Sequence, residues 1–398
     1  MSLRERVIFN LEERRDKVIN GDINCIPLPF NRFREELPGI EQGKYYLISG
    51  ATKSSKTQLT NYLFLYNTVL YSYYNQGIVY PKIFYYNLEE TAEAIVLRFM
   101  SYLLYTLSGK RISPLDLRST DSSKPLNQDI LDLLRSEEYT NILEYFEEVV
   151  TFMSSRNPTG VWKDMKAYAD NHGTAYKKKY IHKDEFGVEK EAEAFDYYEP
   201  NISNEYVFII IDHISLLESE RGLTLRESIN KLSEYMIILR NRYNYIPVVV
   251  HQQSTETTNL EAFKSNKIRP TMAGLSDSKY TAKDCDVMIG ITNPYSFELP
   301  EYLGYDIKVF KSSFRCMEIV LNRSGQSNGL CPLYFDGAIN YFRELPLPHD
   351  KEGIDKVYNY IRNIRNNASK TFFIYNSNNP DKKLHKWKIF RKFAAFFK

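Results

Sequence analysis

Short apolar runs recur along the chain and alternate with longer segments whose apolar residues return every three or four positions. Tyr45–Ser49, Lys82–Tyr86, Glu147–Phe152, Val207–Ile211, Ile246–Val250 and Val287–Ile291 have the length and β-branched or aromatic content of strands. Helical spacing follows from Gln58, from about Thr91, from Thr159 to about Asp170, and from Ser228 to Arg242. Strands that are apolar throughout and separated by helices predict an α/β fold, with a mostly parallel central sheet flanked by helices. From about residue 303 the pattern changes to hairpin-like runs at Tyr305–Phe310, Arg315–Asn322, Cys331–Phe335 and Ile339–Phe342. No repeat of 20–50 residues is visible.

Three stretches depart from the alternation. Residues 4–19 are densely charged, with Val7, Ile8, Leu11, Val18 and Ile19 at the spacing of an exposed amphipathic helix. Residues 171–205 are rich in Tyr, Lys and Glu, and Asp184–Gly187 suits the turn of a charged hairpin inserted between two sheet strands. After about residue 366 the chain reads as polar loops and then a short basic amphipathic helix. The expected organisation is an N-terminal helix in 1–24, a main domain in 25–345 carrying the 171–205 insertion, and a basic extension in 346–398.

Charge sharpens the last element. Residues 350–398 hold twelve Lys/Arg against four Asp/Glu, a surplus of eight in a 398-residue chain whose net charge is +2. The rest is therefore −6, and the tail points to a polyanionic partner. The 43% hydrophobic and 26% charged composition is that of a globular protein. No apolar run reaches the length of a membrane span, and the first residues lack a signal-peptide core. Four scattered cysteines without a CxxC pair read as reduced thiols, so a cytoplasmic location is expected.

The strongest chemical signal lies between strand 45–49 and the helix after it. Gly50, Ala51, Thr52, Lys53, Ser54, Ser55, Lys56 and Thr57 follow the phosphate-loop pattern G-x-x-x-x-G-K-[ST], except that Ser55 stands at the second glycine. A loop opening a helix presents backbone N–H groups and a positive dipole end to phosphates. Lys56 is then the phosphate contact and the Thr57 hydroxyl a Mg²⁺ ligand. A polar helix cap without a ligand is the plainer reading. A second signal narrows the choice: the strand 207–211 ends in Asp212, a carboxylate suited to orient Mg²⁺. Glu89 and Glu90 follow strand 82–86 directly, where a carboxylate can polarise an attacking water. Alone, that pair would read as a solvated helix start.

In this order the segments GATKSSKT, FYYNLEETAEAIVLRFM, VFIIIDHISLL, IPVVVHQQS, DCDVMIGI and EIVLNRSGQSNG resemble the RecA-like ATPase domain of DnaB-type replicative DNA helicases, over about residues 25–345. The resemblance implies ATP and Mg²⁺ as cofactors, Glu89 as the catalytic glutamate, and Asp212 as the metal-orienting aspartate. It implies Gln253, with Gln252 adjacent, as the residue that senses the γ-phosphate. It makes Arg323 an arginine finger acting on the neighbouring subunit's ATP, within a hexameric homo-oligomer around single-stranded DNA. Three features differ from the family pattern: Ser55, Leu321 in place of a lysine two residues before the finger, and fewer than fifty residues before the phosphate loop. The last, with the biased composition, suggests a phage or other mobile element.

In that architecture the loops after strands 207–211 and 246–250 face the DNA. Arg221 and Arg226 in the first, and Lys264, Lys267 and Arg269 in the second, are the candidate phosphate contacts; solvated loop charges are the plainer reading. The expected function is a helicase motor driven by Mg-ATP hydrolysis, with the segment 1–24 as its subunit-linking helix and the basic tail as a contact for a replication partner. The alternatives are a RecA-like strand-binding recombination ATPase and a non-hydrolysing relic acting as scaffold or loader.

Overall fold

The computed structural model describes residues 3–183, 186–254 and 268–367. Nine strands form the main sheet: β1 Tyr46–Gly50, β2 Tyr80–Asn87, β3 Val150–Phe152, β6 Glu205–Asp212, β7 Ile246–Gln252, β8 Val287–Thr292, β9 Phe314–Asn322, β10 Leu330–Asp336 and β11 Tyr341–Glu344. Two more, β4 Gly173–Lys183 and β5 Glu189–Pro200, form a separate hairpin. The sheet order is β11-β10-β9-β8-β1-β7-β6-β2-β3. From β8 to β3 every neighbour is parallel, whereas β10 and β11 pair antiparallel. The parallel part is a consequence of composition. Val207–Ile211 of β6 and Val248–Val250 of β7 are buried on both faces, so neither strand has a polar side to offer water.

The chain divides into two compact units. One gathers Met1–Val96, Asn127–Thr292 and Met317–Leu330; the other gathers Leu97–Leu126, Asn293–Cys316 and the chain from Cys331 on. In the first unit, α6 (Pro158–Asn171) and α7 (Leu225–Tyr243) cover the sheet. Their ends are written locally. Asn157 caps α6 by accepting from Gly160 N, with Pro158 at the first helical position. Thr224 and Glu227 cap α7 reciprocally, and Asn244 ends it in the left-handed conformation. From α7, Ile229, Leu232, Met236, Leu239 and Tyr243 enter one core with Tyr45, Leu47, Ile209, Ile211 and Val249. In the second unit a smaller core joins Tyr305, Ile307, Phe310, Phe314, Tyr334 and Leu345 to Ile354, Val357 and Ile361 of the helix Lys351–Asn367.

Several boundaries differ from the sequence reading. Glu147–Val149 end the helix Glu137–Val149, and only Val150–Phe152 pair with β2. Tyr305–Asp306 pair only with Glu301–Tyr302, and Ile307–Phe310 turn into a helix capped by Asp306. The final strand starts at Tyr341, not Ile339. The helix Lys351–Asn367 occupies part of the stretch read as a basic extension. The N-terminal helix α1 (Leu3–Ile19) forms as expected, with Val7, Phe9, Leu11 and Val18 exposed.

The inserted segment is the expected charged hairpin. Lys177–Glu193, Lys179–Glu191 and Lys183–Glu189 pair across β4 and β5, and Tyr176 stacks on Tyr197 at 4.4 Å. Exposed ion pairs contribute little, and a two-stranded ribbon is marginal alone. Its base supplies the anchor: the rings of Phe195 and Tyr198 pack on Tyr243, and the Tyr198 hydroxyl donates to Ala169 O at 3.0 Å. Tyr243→Ala should therefore cost about 3–5 kcal/mol and open the hairpin to protease first, with early cuts mapping to residues 173–200. A variant hairpin as resistant as the wild type under a dose that spares the wild type would show that this ring cluster does not hold it.

Candidate nucleotide site

Four adjacent strands in the order β1-β7-β6-β2 run parallel, so their carboxyl ends share one edge of the sheet. Each delivers something to that edge. β1 feeds the loop 50–57 and the helix Lys56–Thr60, which continues through a π-helical stretch Asn61–Tyr66 into Asn67–Tyr74. β7 ends in Gln252, β6 in Asp212, and β2 leads through Asn87, the register partner of Asp212, to Glu89.

The loop keeps the shape its glycine pattern calls for. Ser55 has φ 78° and ψ 36°, the left-handed region where glycine is unstrained, so the serine accepts that turn while carrying a Cβ. Gly50 admits no side chain: a Cβ there would lie 2.5 Å from Ser54 Oγ and from Ile291 O. Lys56 folds back over the loop and donates from Nζ to Ala51 O at 3.0 Å. Burial lowers the Lys56 pKa, and the fields of Asp212 and Glu89 oppose the shift.

Asp212 is the buried centre of the cluster. Burial pushes its pKa up to about 7, the Thr57 hydroxyl hydrogen-bonds to it, and Glu89 and Glu90 raise it further by repulsion. The Tyr85 hydroxyl lies 3.3 Å from Asp212 Oδ2 and 2.9 Å from Asn61 Oδ1. Asp212 Oδ1 is buried and has no hydrogen-bond partner among the described residues. A buried carboxylate oxygen left over, beside a threonine hydroxyl at a helix start, fits a hard divalent cation. Among the described residues no group of three or more His, Cys, Asp or Glu is disposed to hold a metal unaided. Thr57 and Asp212 would thus hold Mg²⁺ together with the phosphates of a nucleotide, the cation supplying charge neutralisation there.

Glu89 is half-exposed, with its Oε2 3.7 Å from His213 Nε2. Burial lowers the His213 pKa, which favours a neutral ring. This histidine was not singled out from sequence; its only signal is its place directly after Asp212. Asn61 and Tyr85 were also missed, although a lone Asn inside an apolar helix was a sign of a buried polar pair.

The two glutamines separate cleanly. Gln253 is buried, donates to Ser49 Oγ at 2.8 Å and Thr271 O at 3.1 Å, and accepts from Thr271 N at 3.3 Å. Gln252 instead donates from Nε2 to Thr52 Oγ1 of the phosphate loop at 2.5 Å. The side chain that touches the loop is therefore Gln252.

Arg323 is at the other edge. Its backbone N–H donates to Asp286 O at 2.9 Å, Nε donates to Cys285 O at 2.8 Å, and Nη2 donates to Lys283 O. Asp286 in turn bonds Tyr45, at the start of β1. From Tyr45 to Gly50 the strand climbs about 3.3 Å per residue, roughly 17 Å in all. Arg323 and the phosphate loop of one chain thus mark opposite edges of the same sheet. Leu321 packs against the core and offers no cation.

The DNA candidates are also dispersed. Arg221 and Arg226 are exposed. Arg269 is committed to the buried carboxylate of Glu318, with its Nε at 2.6 Å from Oε2. Lys264, Lys267 and the basic tail 382–398 lie outside the described residues. No described helix is long and apolar enough to cross a membrane.

No family model matches this chain, and no curated protein matches it. Solved structures do. The chain is similar to a solved ATPase domain, with a TM-score of 0.58 at 13% identity over 87% of this chain and 99% of that one. It is equally similar to a DnaB-like replicative helicase studied with its interactions with primase, with a TM-score of 0.58 at 13% identity over 87% of this chain and 67% of that one. The fold is therefore the one this chain shares with these solved ATPase-domain and DnaB-like helicase structures, a mostly parallel sheet flanked by helices.

Two measurements test the site. The raised Asp212 pKa means the folded state keeps a proton that the unfolded chain releases above about pH 4. Stability is then lost as pH rises from about 4 to 7, by up to roughly 4 kcal/mol at 1.36 kcal/mol per unit. Denaturant titrations of the metal-free protein should show Asp212→Asn gaining on the wild type between pH 4.5 and pH 8; parallel curves would contradict the burial argument. Gln253→Ala should lose about 1–3 kcal/mol of stability. Gln252→Ala should keep its stability and lower nucleotide turnover, and the reverse pattern would exchange their roles.

Proposed function

We propose that this chain is an ATP-hydrolysing DNA helicase motor that assembles with copies of itself, as a hexameric ring, and moves on single-stranded DNA during replication. The observation that carries the reading is the convergence of Lys56, Thr57, Asp212 and Glu89 at the shared edge of four parallel strands. Lys56 draws charge from the terminal phosphates, with burial strengthening its field. Glu89 accepts a hydrogen bond from the attacking water and turns it toward the γ-phosphorus. The neutral His213 ring beside it restricts where that carboxylate points. Gln252, bonded to Thr52, is suited to report phosphate occupancy to the chain after β7.

A neighbouring copy completes the site. Arg323 lies an edge away from its own loop, so any phosphate it stabilises belongs to another subunit, where such an arginine contributes about 10³–10⁵ in rate in comparable enzymes. The exposed apolar positions of α1 support the same assembly, since a helix that leaves Val7, Ile8, Leu11, Val18 and Ile19 in water has a stripe for another copy to cover. The exposed Arg221 and Arg226 suit contact with DNA phosphates.

Lys56→Ala should abolish DNA-stimulated ATP turnover. Arg323→Ala should bind nucleotide normally and hydrolyse at background rate. Mixing these two inactive proteins should restore part of the activity, because some interfaces then join an intact Lys56 to an intact Arg323. A mixture as inactive as its components would count against action in trans. ATP turnover without separation of a forked duplex would favour a strand-binding recombination ATPase instead.

A further inference from the structure

Glu89 lies in the irregular bend between β2 and the helix Ala92–Ser108, so its place depends on what holds that bend. Leu88 N donates to Asp212 O at 2.9 Å, and Asn87 Nδ2 donates to Glu90 O at 2.8 Å. A further support comes from another element. Arg156 Nη2 donates at 3.1 Å to the carbonyl oxygen of Leu88, the residue directly before Glu89. Arg156 follows β3 and immediately precedes Asn157, the cap of α6, so its backbone is fixed by a helix start.

The same guanidinium has a second acceptor. Its Nε lies 3.2 Å from Glu218 Oε1, and Glu218 N donates back to Arg156 O at 2.8 Å. Glu218 belongs to the loop after β6, which also carries Arg221. Two residues on, Glu220 accepts from Thr159 N at 2.7 Å and from Lys231 Nζ. The loop is thus moored to the start of α6 just before Arg221, and Gly222, at φ 82°, allows the turn toward α7. A guanidinium is planar and stiff, so its two donors hold Leu88 O and Glu218 Oε1 at a set spacing. Displacement of the loop therefore turns this fork and shifts the bend that carries Glu89. The ion pair is half-exposed and adds little to stability; as a link between two sites it can still carry a coupling of about 5–150-fold.

We propose, on the motor reading above, that Arg156 is a positioning residue that transmits contact of single-stranded DNA with the 217–224 loop to Glu89, and so makes ATP turnover depend on DNA.

Steady-state ATP turnover of the full chain should be measured with and without a single-stranded oligonucleotide, alongside oligonucleotide anisotropy and melting temperature. Wild-type turnover that DNA leaves unchanged would overturn the DNA-driven reading itself, and this link with it. Glu218→Ala releases the loop from the Arg156 side chain but leaves Arg156 on Leu88. It should bind the oligonucleotide as the wild type does, keep the basal rate and the melting temperature, and lose about fivefold or more of the stimulated rate. Arg156→Ala should lose as much stimulation, and the double variant should lose no more, because the two side chains form one link. Wild-type stimulation in either single variant would overturn the role of Arg156 while leaving the motor reading in place. So would basal and stimulated rates that fall together, additive losses in the double variant, or loss of oligonucleotide binding in Glu218→Ala.

Discussion

The site depends on one constraint: β1, β7, β6 and β2 run the same way. Parallel strands present all their carboxyl ends at one edge, so a loop, a glutamine, an aspartate and a glutamate separated by up to about 200 residues converge there. The direction is itself enforced by burial. Strands that are apolar on both faces need helices on both sides, and a helix between consecutive strands returns the chain to the same starting edge. Arg323 does not share that edge. It follows β9 but is tied to the residues just before β8, hence to the starting edge.

Burial at the shared edge then sets the chemistry. Lys56 and Asp212 carry opposite charges, yet the lysine is lowered and the aspartate raised, with burial the leading cause for both. A cluster partly removed from water holds its charges under tension, which a bound cation with phosphates would relieve. The Thr57 and Tyr85 hydroxyls contact the carboxylate, Asn61 accepts from Tyr85, and Asp212 Oδ1 is left without a partner among the described residues. Ser55 shows how much latitude the loop has: what the second glycine position requires is a left-handed backbone, and a serine supplies it at the expense of local strain.

Much of this was readable in advance. The strand–helix alternation is a local property of apolar spacing, so β1, β6, β7 and β8 and the helices α6 and α7 were legible to within a few residues. The hairpin 173–200 was legible because its alternating charges and its turn residues leave few other options. Short elements were not: Glu147–Val149 continue a helix because Val149 enters the core from the helix side, and Ile307–Phe310 turn because Asp306 caps them. Propensity separates such cases poorly when the segment is shorter than one helical period or strand repeat.

The sequence by itself determined the phosphate loop, the strand ending in Asp212 and the carboxylates after β2, because each is a contiguous pattern with its own physical signature. Only the tertiary structure decided which neighbour does what. Gln252 and Gln253 differ by one step along a strand, and alternation sends one toward Thr52 and the other into the sheet between Ser49 and Thr271. Arg269 looks like a free loop cation until Glu318, from a strand some fifty residues on, claims it. His213, Asn61 and Tyr85 enter the site through contacts made between separate elements. Spacing along a chain fixes local conformation, but the partner of a side chain is fixed by what the fold brings within a few ångströms of it.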